Sequence, residues 1–252
     1  MQPSIDLNCD IGESFGAFTI GNDEAIMEYV SSVNIACGFH GSDPGVMHKT
    51  IAHAASRNIA IGAHPGYPDL QGFGRREIKM SLAEVYDCIV YQVGALMAFA
   101  RVEGTTVNHV KPHGALYNAA AKDNALSATI AKAVHDVDKA LVLVGLSGSC
   151  MIEEGKKVGL RTCSEAFADR AYQEDGTLMS RTAANAMIDD ADRAARQVLQ
   201  MIQRGTVTTI NGKEIPVRAD TVCIHGDGPQ AIAIAKAITN IIRQSHVSIK
   251  RF

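Results

Sequence analysis

The feature that most constrains this chain is a regular alternation of short apolar runs with helical stretches, in which the runs end on polar residues spaced two apart. Ser4-Ile5-Asp6-Leu7-Asn8-Cys9-Asp10 alternates strictly, with Ile5, Leu7 and Cys9 on one face and Asp6, Asn8 and Asp10 on the other. The habit returns in Asn34 to His40, Ile59 to His64, His109 to His113, Cys163 to Glu165 and Thr221 to Asp227. Side chains of a strand alternate faces, so residues at i and i+2 point the same way. Each run therefore aims Asp, His, Lys or Glu at one side, which predicts a shared polar pocket.

The intervening segments read as helices. Asp23 to Val30 carries a short apolar face, and Asp43-Pro44 caps a helix over 45–57 with proline at its first position. Ser81-Leu82-Ala83-Glu84 is a capping box that opens a long helix to about Arg101. Further helical patterns cover 125–137, 150–157 and 184–204, and Pro229 opens a last one to about Arg243. Strands are expected from Ser4, Val33, Ile59, Val107, Ala140, Leu160 and Thr221. Asn211-Gly212, flanked by alternating apolar residues, predicts an accessory hairpin over 207–217.

Seven strands, each followed by a helical pattern and with no Pro/Ser-rich linker, predict one α/β domain over 1–252. Its 252 residues are a typical length for a (β/α) barrel. An open doubly wound sheet concentrates polar groups at one switch point, whereas here they close nearly every strand. The expected fold is thus a single (β/α) barrel with seven strands.

Composition narrows the function. A net charge of -3 with scattered Lys and Arg offers no basic stripe for nucleic acid. The first residues lack a basic segment followed by an apolar run, and no 18 or so consecutive residues are all apolar, so a cytoplasmic location is expected, with no membrane partner. The six cysteines show no C-x-x-C spacing and read as small buried hydrophobes. The phosphate loop, the dinucleotide G-x-G-x-x-G, the G-x-S-x-G elbow and H-E-x-x-H do not occur. An activated water is therefore the simplest attacking group.

The candidate site follows from the strand ends. Asp10, Lys111, His113, Glu165, Asp169 and His225 are the candidate catalytic groups, and Asn8, Glu13, His40, His64, Arg170 and Asp227 the candidate substrate-binding groups. Asp6 also fits a structural hydrogen-bonding role. Lys offers a point charge for a carboxylate or phosphoryl oxygen, and His moves protons near neutral pH. Asp10, His40 and His64 are the candidate ligands of a divalent metal, against substrate-binding or solvent-facing histidines. His48, His53, His135 and His246 read as surface residues.

The runs Ile5 to Glu13, Asn34 to His40, Gly62-Ala63-His64-Pro65, His109 to Gly114, Phe167-Ala168-Asp169-Arg170 and His225-Gly226-Asp227 together resemble the LamB/YcsF family. The resemblance spans essentially the whole chain, in order. It implies a seven-stranded barrel related to glycoside hydrolases and polysaccharide deacetylases. It also implies a 5-oxoprolinase activity, the ATP-dependent opening of 5-oxoproline to L-glutamate with partner subunits B and C. ATP would be consumed in the complex, with the kinase step on the partners. Lys111 and Arg170 would hold carboxylate or phosphoryl oxygens, Glu165 or Asp10 would activate water, and His113 or His225 would protonate the leaving nitrogen. Two alternatives stay open: a stand-alone metal-dependent deacetylase or amidohydrolase, and a non-catalytic protein that binds a lactam or sugar.

Overall fold

The computed structural model describes residues 3–181, 183–226, 228 and 230–252. In chain order the first strands and helices are β1 (Ser4–Ile11), α1 (Asp23–Ile26), β2 (Ser32–Ala36), α2 (Pro44–Ser56), β3 (Ala60–His64), α3 (Leu82–Val102), β4 (Val107–Val110), α4 (Gly114–Ala120) and α5 (Asn124–Val137). Then come β5 (Val142–Leu146), α6 (Cys150–Lys157), β6 (Arg161–Phe167), α7 (Ala191–Arg204), β7 (Thr206–Thr208), β8 (Glu214–Pro216), β9 (Thr221–Cys223), α8 (Ala231–Gln244) and β10 (Ser248–Ile249). Strands β1 to β6 pair in sequence and in parallel, and β9 pairs with both β6 and β1. The sheet thus closes into a seven-stranded parallel barrel wrapped by helices. Strand β10 adds a short parallel pairing at the start of β1, and β7 with β8 forms the expected hairpin.

The strict alternation of β1 explains how the barrel divides. Leu7, Cys9 and Ile11, with Val33, Ile35, Ile61 and Val110 of neighbouring strands, are buried in the apolar core that includes the helices. Burying each such aliphatic side chain contributes about 1.5–3 kcal/mol. The opposite faces put Asn8, Asp10, Asn34, His109 and Glu165 into a hydrogen-bonded chain inside the barrel, and Asp6 accepts from Ser32. Gly62 makes room there, because a Cβ on it would stand 2.0 Å from His109 Nε2.

Caps form where the residue types require them. Asp43 caps α2 with proline in the first turn, and Ser81 with Glu84 completes a capping box on α3. α3 is long and apolar enough by composition to cross a membrane. Its buried face, Ile89, Val93 and Leu96, belongs to the apolar core instead.

Four elements differ from the sequence reading. α1 stops at Ile26 rather than Val30, because the chain must return to the sheet, where Ser31 N–H donates to Leu7 O. β2 ends at Ala36, and Gly38 turns with a φ of +91°, so His40 reaches the site from a loop. α4 is additional: a seven-residue helix behind Pro112 is too short to show a period. α7 starts at Ala191, capped by Asp190, since 184–189 pairs back toward Asp169 and Arg170. All six cysteines are free, and Cys9, Cys37, Cys163 and Cys223 are buried.

Candidate active site

The floor of the barrel mouth is built around one buried ammonium. Lys111 Nζ lies 2.9 Å from Asp10 Oδ1, 2.8 Å from Glu165 Oε1, 3.2 Å from Cys223 Sγ and 3.4 Å from Asn8 Oδ1. Glu165 also accepts from Asn8 Nδ2 at 3.0 Å and from Tyr117 OH at 2.7 Å. Asn34 Nδ2 donates to Asn8 Oδ1 and Asp10 Oδ1, and its own oxygen faces His109 Nε2 at 2.8 Å. Burial works against the charge of Lys111, but Asp10, Cys223 and Glu165 outweigh it and hold the ammonium well above its usual range. Burial likewise pushes Asp10 up, and His64 with Lys111 outweighs it, keeping the carboxylate ionised. Removing one partner of such a cluster strands the other charge, at a cost of about 3–5 kcal/mol.

Above the floor stand three histidines. His64 Nδ1 is 2.7 Å from Lys111 O, and His113 Nε2 is 2.9 Å from Phe73 O. A carbonyl only accepts, so each of these nitrogens carries its ring hydrogen. His64 Nε2 and His113 Nδ1 then face each other at 2.9 Å. Asp10 Oδ2 is 3.4 Å from His64 Nε2, and Glu13 Oε1 is 3.3 Å from His40 Nε2 and 3.6 Å from His113 Nδ1. The His40 and His113 rings stack in parallel, 3.6 Å apart. Burial pushes the imidazolium forms of both well below the usual histidine range, and the neighbouring imidazoles add to this. Gly74, with φ of +60°, passes so close that a Cβ would sit 2.7 Å from both His40 and His113.

A third group flanks the mouth. His225 Nδ1 contacts both oxygens of Asp169, at 2.8 and 2.9 Å, and its ring stacks on Phe167. Burial raises the Asp169 carboxyl, but His225 outweighs it and keeps the group ionised. Arg170 donates to Met179 O; burial and the nearby Arg181 bring its guanidinium down to about 10, still cationic at neutral pH. A cavity of about 1330 Å³ opens over all three groups. Its lining also includes Arg75, Lys79, Lys122, Arg170 and Arg181, together with Glu77 and Asp123.

Of the residues expected from sequence, Asp10, Glu13, His64, Lys111, His113, Arg170 and His225 line this cavity. Asn8, His40, Glu165 and Asp169 stand behind them as hydrogen-bonding or stacking partners. Asp227, and Pro229 as the expected start of the last helix, lie outside the described residues. The metal candidates separate: His40 and His64 gather with Glu13 and His113, their ligating atoms within 4.8 Å of one another, while Asp10 groups with Cys223 and His225. Asn34, His109 and Tyr117 were not among the candidates. The first two share strand faces with Asp10 and Lys111, and that parity was the available signal. Tyr117 sits on the unforeseen α4.

Acids, imidazoles and a lysine gathered at the C-terminal mouth of a closed seven-stranded barrel define a (β/α)-barrel protein equipped for acid–base chemistry at an anion-receptive cavity. The LamB/YcsF family pattern matches residues 5–252, and the chain belongs to that family. A relative from Shouchella clausii, named as the A subunit of 5-oxoprolinase, is 57% identical over 98% of each chain. One of the same name from Bacillus subtilis is 53% identical over 97% of this chain and 95% of its own. The crystal structure of a lactam utilization protein from Thermus thermophilus superposes with a TM-score of 0.94 at 46% identity, covering 99% of this chain and all of that one. A deacetylase, T48, shares the fold alone, with a TM-score of 0.51 at 10% identity and 99% and 88% of the two chains covered.

Proposed function

We propose that this chain is the lactam-opening component of an ATP-dependent 5-oxoprolinase, acting with two partner subunits, B and C, in the cytoplasm. The observation that carries this reading is the lining of the cavity, where Arg75, Lys79, Lys122, Arg170 and Arg181 outnumber Glu77 and Asp123 beside the positioned acids and bases of the barrel mouth. The lining suits an anionic ligand, and 5-oxoproline carries a carboxylate to which activation adds a phosphoryl group. The relatives' names supply the substrate.

The lactam is a stable amide, so ATP, spent on the partner subunits, phosphorylates its oxygen. Water then adds to the activated carbon, the ring C–N bond breaks as nitrogen takes a proton, and a second water hydrolyses the resulting acyl phosphate to glutamate and phosphate. Of Asp10 and Glu165, the two carboxylates on Lys111, only Asp10 lines the cavity, so it is assigned the water proton. His225 holds Nδ1 on Asp169, which leaves Nε2 to protonate the leaving nitrogen. Arg170 and the other lining cations hold the carboxylate and phosphoryl oxygens. Lys111, clamped between Asp10 and Glu165, orients Asp10 and adds positive charge where oxyanions develop.

The test is 5-oxoproline-dependent ATP hydrolysis and glutamate formation, measured with and without the two partners. Activity appearing only in the complex supports the reading. Amide hydrolysis by the isolated chain without ATP contradicts it and favours a stand-alone metal-dependent amidohydrolase, a reading to which the histidine cluster lends support.

A further inference from the structure

We propose that Glu13, His40, His64 and His113 bind one divalent transition-metal ion of the zinc class at the barrel mouth, beside Asp10. The ligand set differs from the one the sequence suggests, because the ligating atoms of Glu13, His40, His64 and His113 gather within 4.8 Å of one another while Asp10 groups with Cys223 and His225.

The directions of the lone pairs suit a metal cation. Two backbone carbonyls fix the hydrogens of His64 on Nδ1 and of His113 on Nε2. With both rings neutral, His64 Nε2 and His113 Nδ1 are acceptors that face each other at 2.9 Å. Two lone pairs at that distance repel unless a proton or a metal cation lies between them. Orientation of an imidazole by a carbonyl on its far nitrogen is also how proteins prepare histidines for metals.

Burial points the same way independently. His40 is completely buried, and neither ring nitrogen has a hydrogen-bond partner. Its Nε2 is directed at the same Glu13 oxygen that approaches His113. A buried imidazole without partners is costly, and a ligand removes that cost.

The distances also fit. Zinc bound to nitrogen and oxygen at about 2.0–2.1 Å in tetrahedral geometry places its ligands about 3.3 Å from one another. The relevant separations here are 2.9, 3.3 and 3.6 Å. The ion enters among His64, His113 and Glu13, and His40 completes the set by tilting out of its stack on His113. Three imidazoles and one carboxylate favour Zn²⁺ or Co²⁺ over Mg²⁺, which prefers oxygen ligands. When bound, such an ion supplies Lewis acidity to an oxygen at the cavity floor.

Dialysis of the full-length chain against chelator, followed by calorimetric titration with Zn²⁺ and by Co²⁺ absorption spectroscopy, tests the site. The expected result is one equivalent per chain, with the intense visible bands of four-coordinate Co²⁺. His113→Ala and His40→Ala should each weaken Zn²⁺ binding by more than ~10-fold, while Asp10→Asn changes it much less. Failure of the wild-type chain to bind Zn²⁺, a weak six-coordinate Co²⁺ spectrum, or loss of binding on Asp10→Asn alone overturns the proposal. The wild-type titration and spectrum need no variant to fold. No arm measures lactam turnover, so the two readings fail separately.

Discussion

The base and the mouth of the barrel are lined by the same kinds of residue from the same strand faces, yet they end in opposite states. At the base, Asp6 accepts hydrogen bonds from Ser31, Ser32 and Thr221 at 2.7, 2.7 and 2.5 Å. Burial raises its pKa, with these hydroxyls opposing the shift. Its partners are neutral and each is matched, as in a buried network that serves the fold. At the mouth, four residues further along β1, charges concentrate on Lys111 and imidazole nitrogens face one another. Polarity alone therefore does not mark function in this barrel; incomplete satisfaction does.

The largest expected effects lie at the mouth. His225→Gln and Asp169→Asn should each lower glutamate formation per folded molecule in the reconstituted complex by ~10²–10³-fold, beyond any loss of thermal stability. Turnover within a few-fold of wild type would remove the dyad from the mechanism. At the base, Asp6→Ala should cost about 3 kcal/mol in denaturant unfolding, since three hydroxyls lose their acceptor, while turnover per folded molecule persists. A large loss of turnover there would erase the distinction between the two regions.

How much of this was legible depended on what carried the signal. The strand faces of β1, β3 and β4 were visible because period-two alternation survives in sequence, and Asp43 and Ser81 announced their helices through capping chemistry. His40 was found as a residue but misplaced as a strand end, because Gly38 turns the chain with a positive φ and its N–H donates to Gly41 O. Glu13 is read from sequence as a substrate-binding group, but its place among three histidines arises from separate segments, with His64 at the end of β3 and His40 beyond β2. Which nitrogen faces which carbonyl has no sequence signature at all.

A smaller effect sharpens the boundary between the regions. His109 lies between them, with its imidazolium pushed down to about 3 by burial and then by Lys111 and His64, while Asp10 opposes. The folded state therefore refuses a proton that the unfolded chain accepts below about pH 6.5. Its stabilising contribution is complete above that pH and is lost as pH falls toward 3. Unfolding free energy should drop with falling pH in this window, and His109→Asn should reduce the slope by up to ~1.4 kcal/mol per pH unit. An unchanged slope would show that His109 titrates normally. The smallest effect lies far from both regions: Ser81→Ala removes the cap of α3 and should cost about 1 kcal/mol with turnover intact.

The most direct test of the contrast between mouth and base pairs Asp10→Asn with Asp6→Asn, two isosteric changes on one face of β1. Glutamate formation from 5-oxoproline by the complex is measured alongside the unfolding free energy of each variant. Asp10→Asn is expected to lower turnover per folded molecule by ~10²-fold or more, beyond what its loss of stability explains, and Asp6→Asn to lower stability while turnover per folded molecule stays near wild type. Near-normal turnover in Asp10→Asn, or a loss in Asp6→Asn that stability does not explain, would contradict the assignment of function to the mouth.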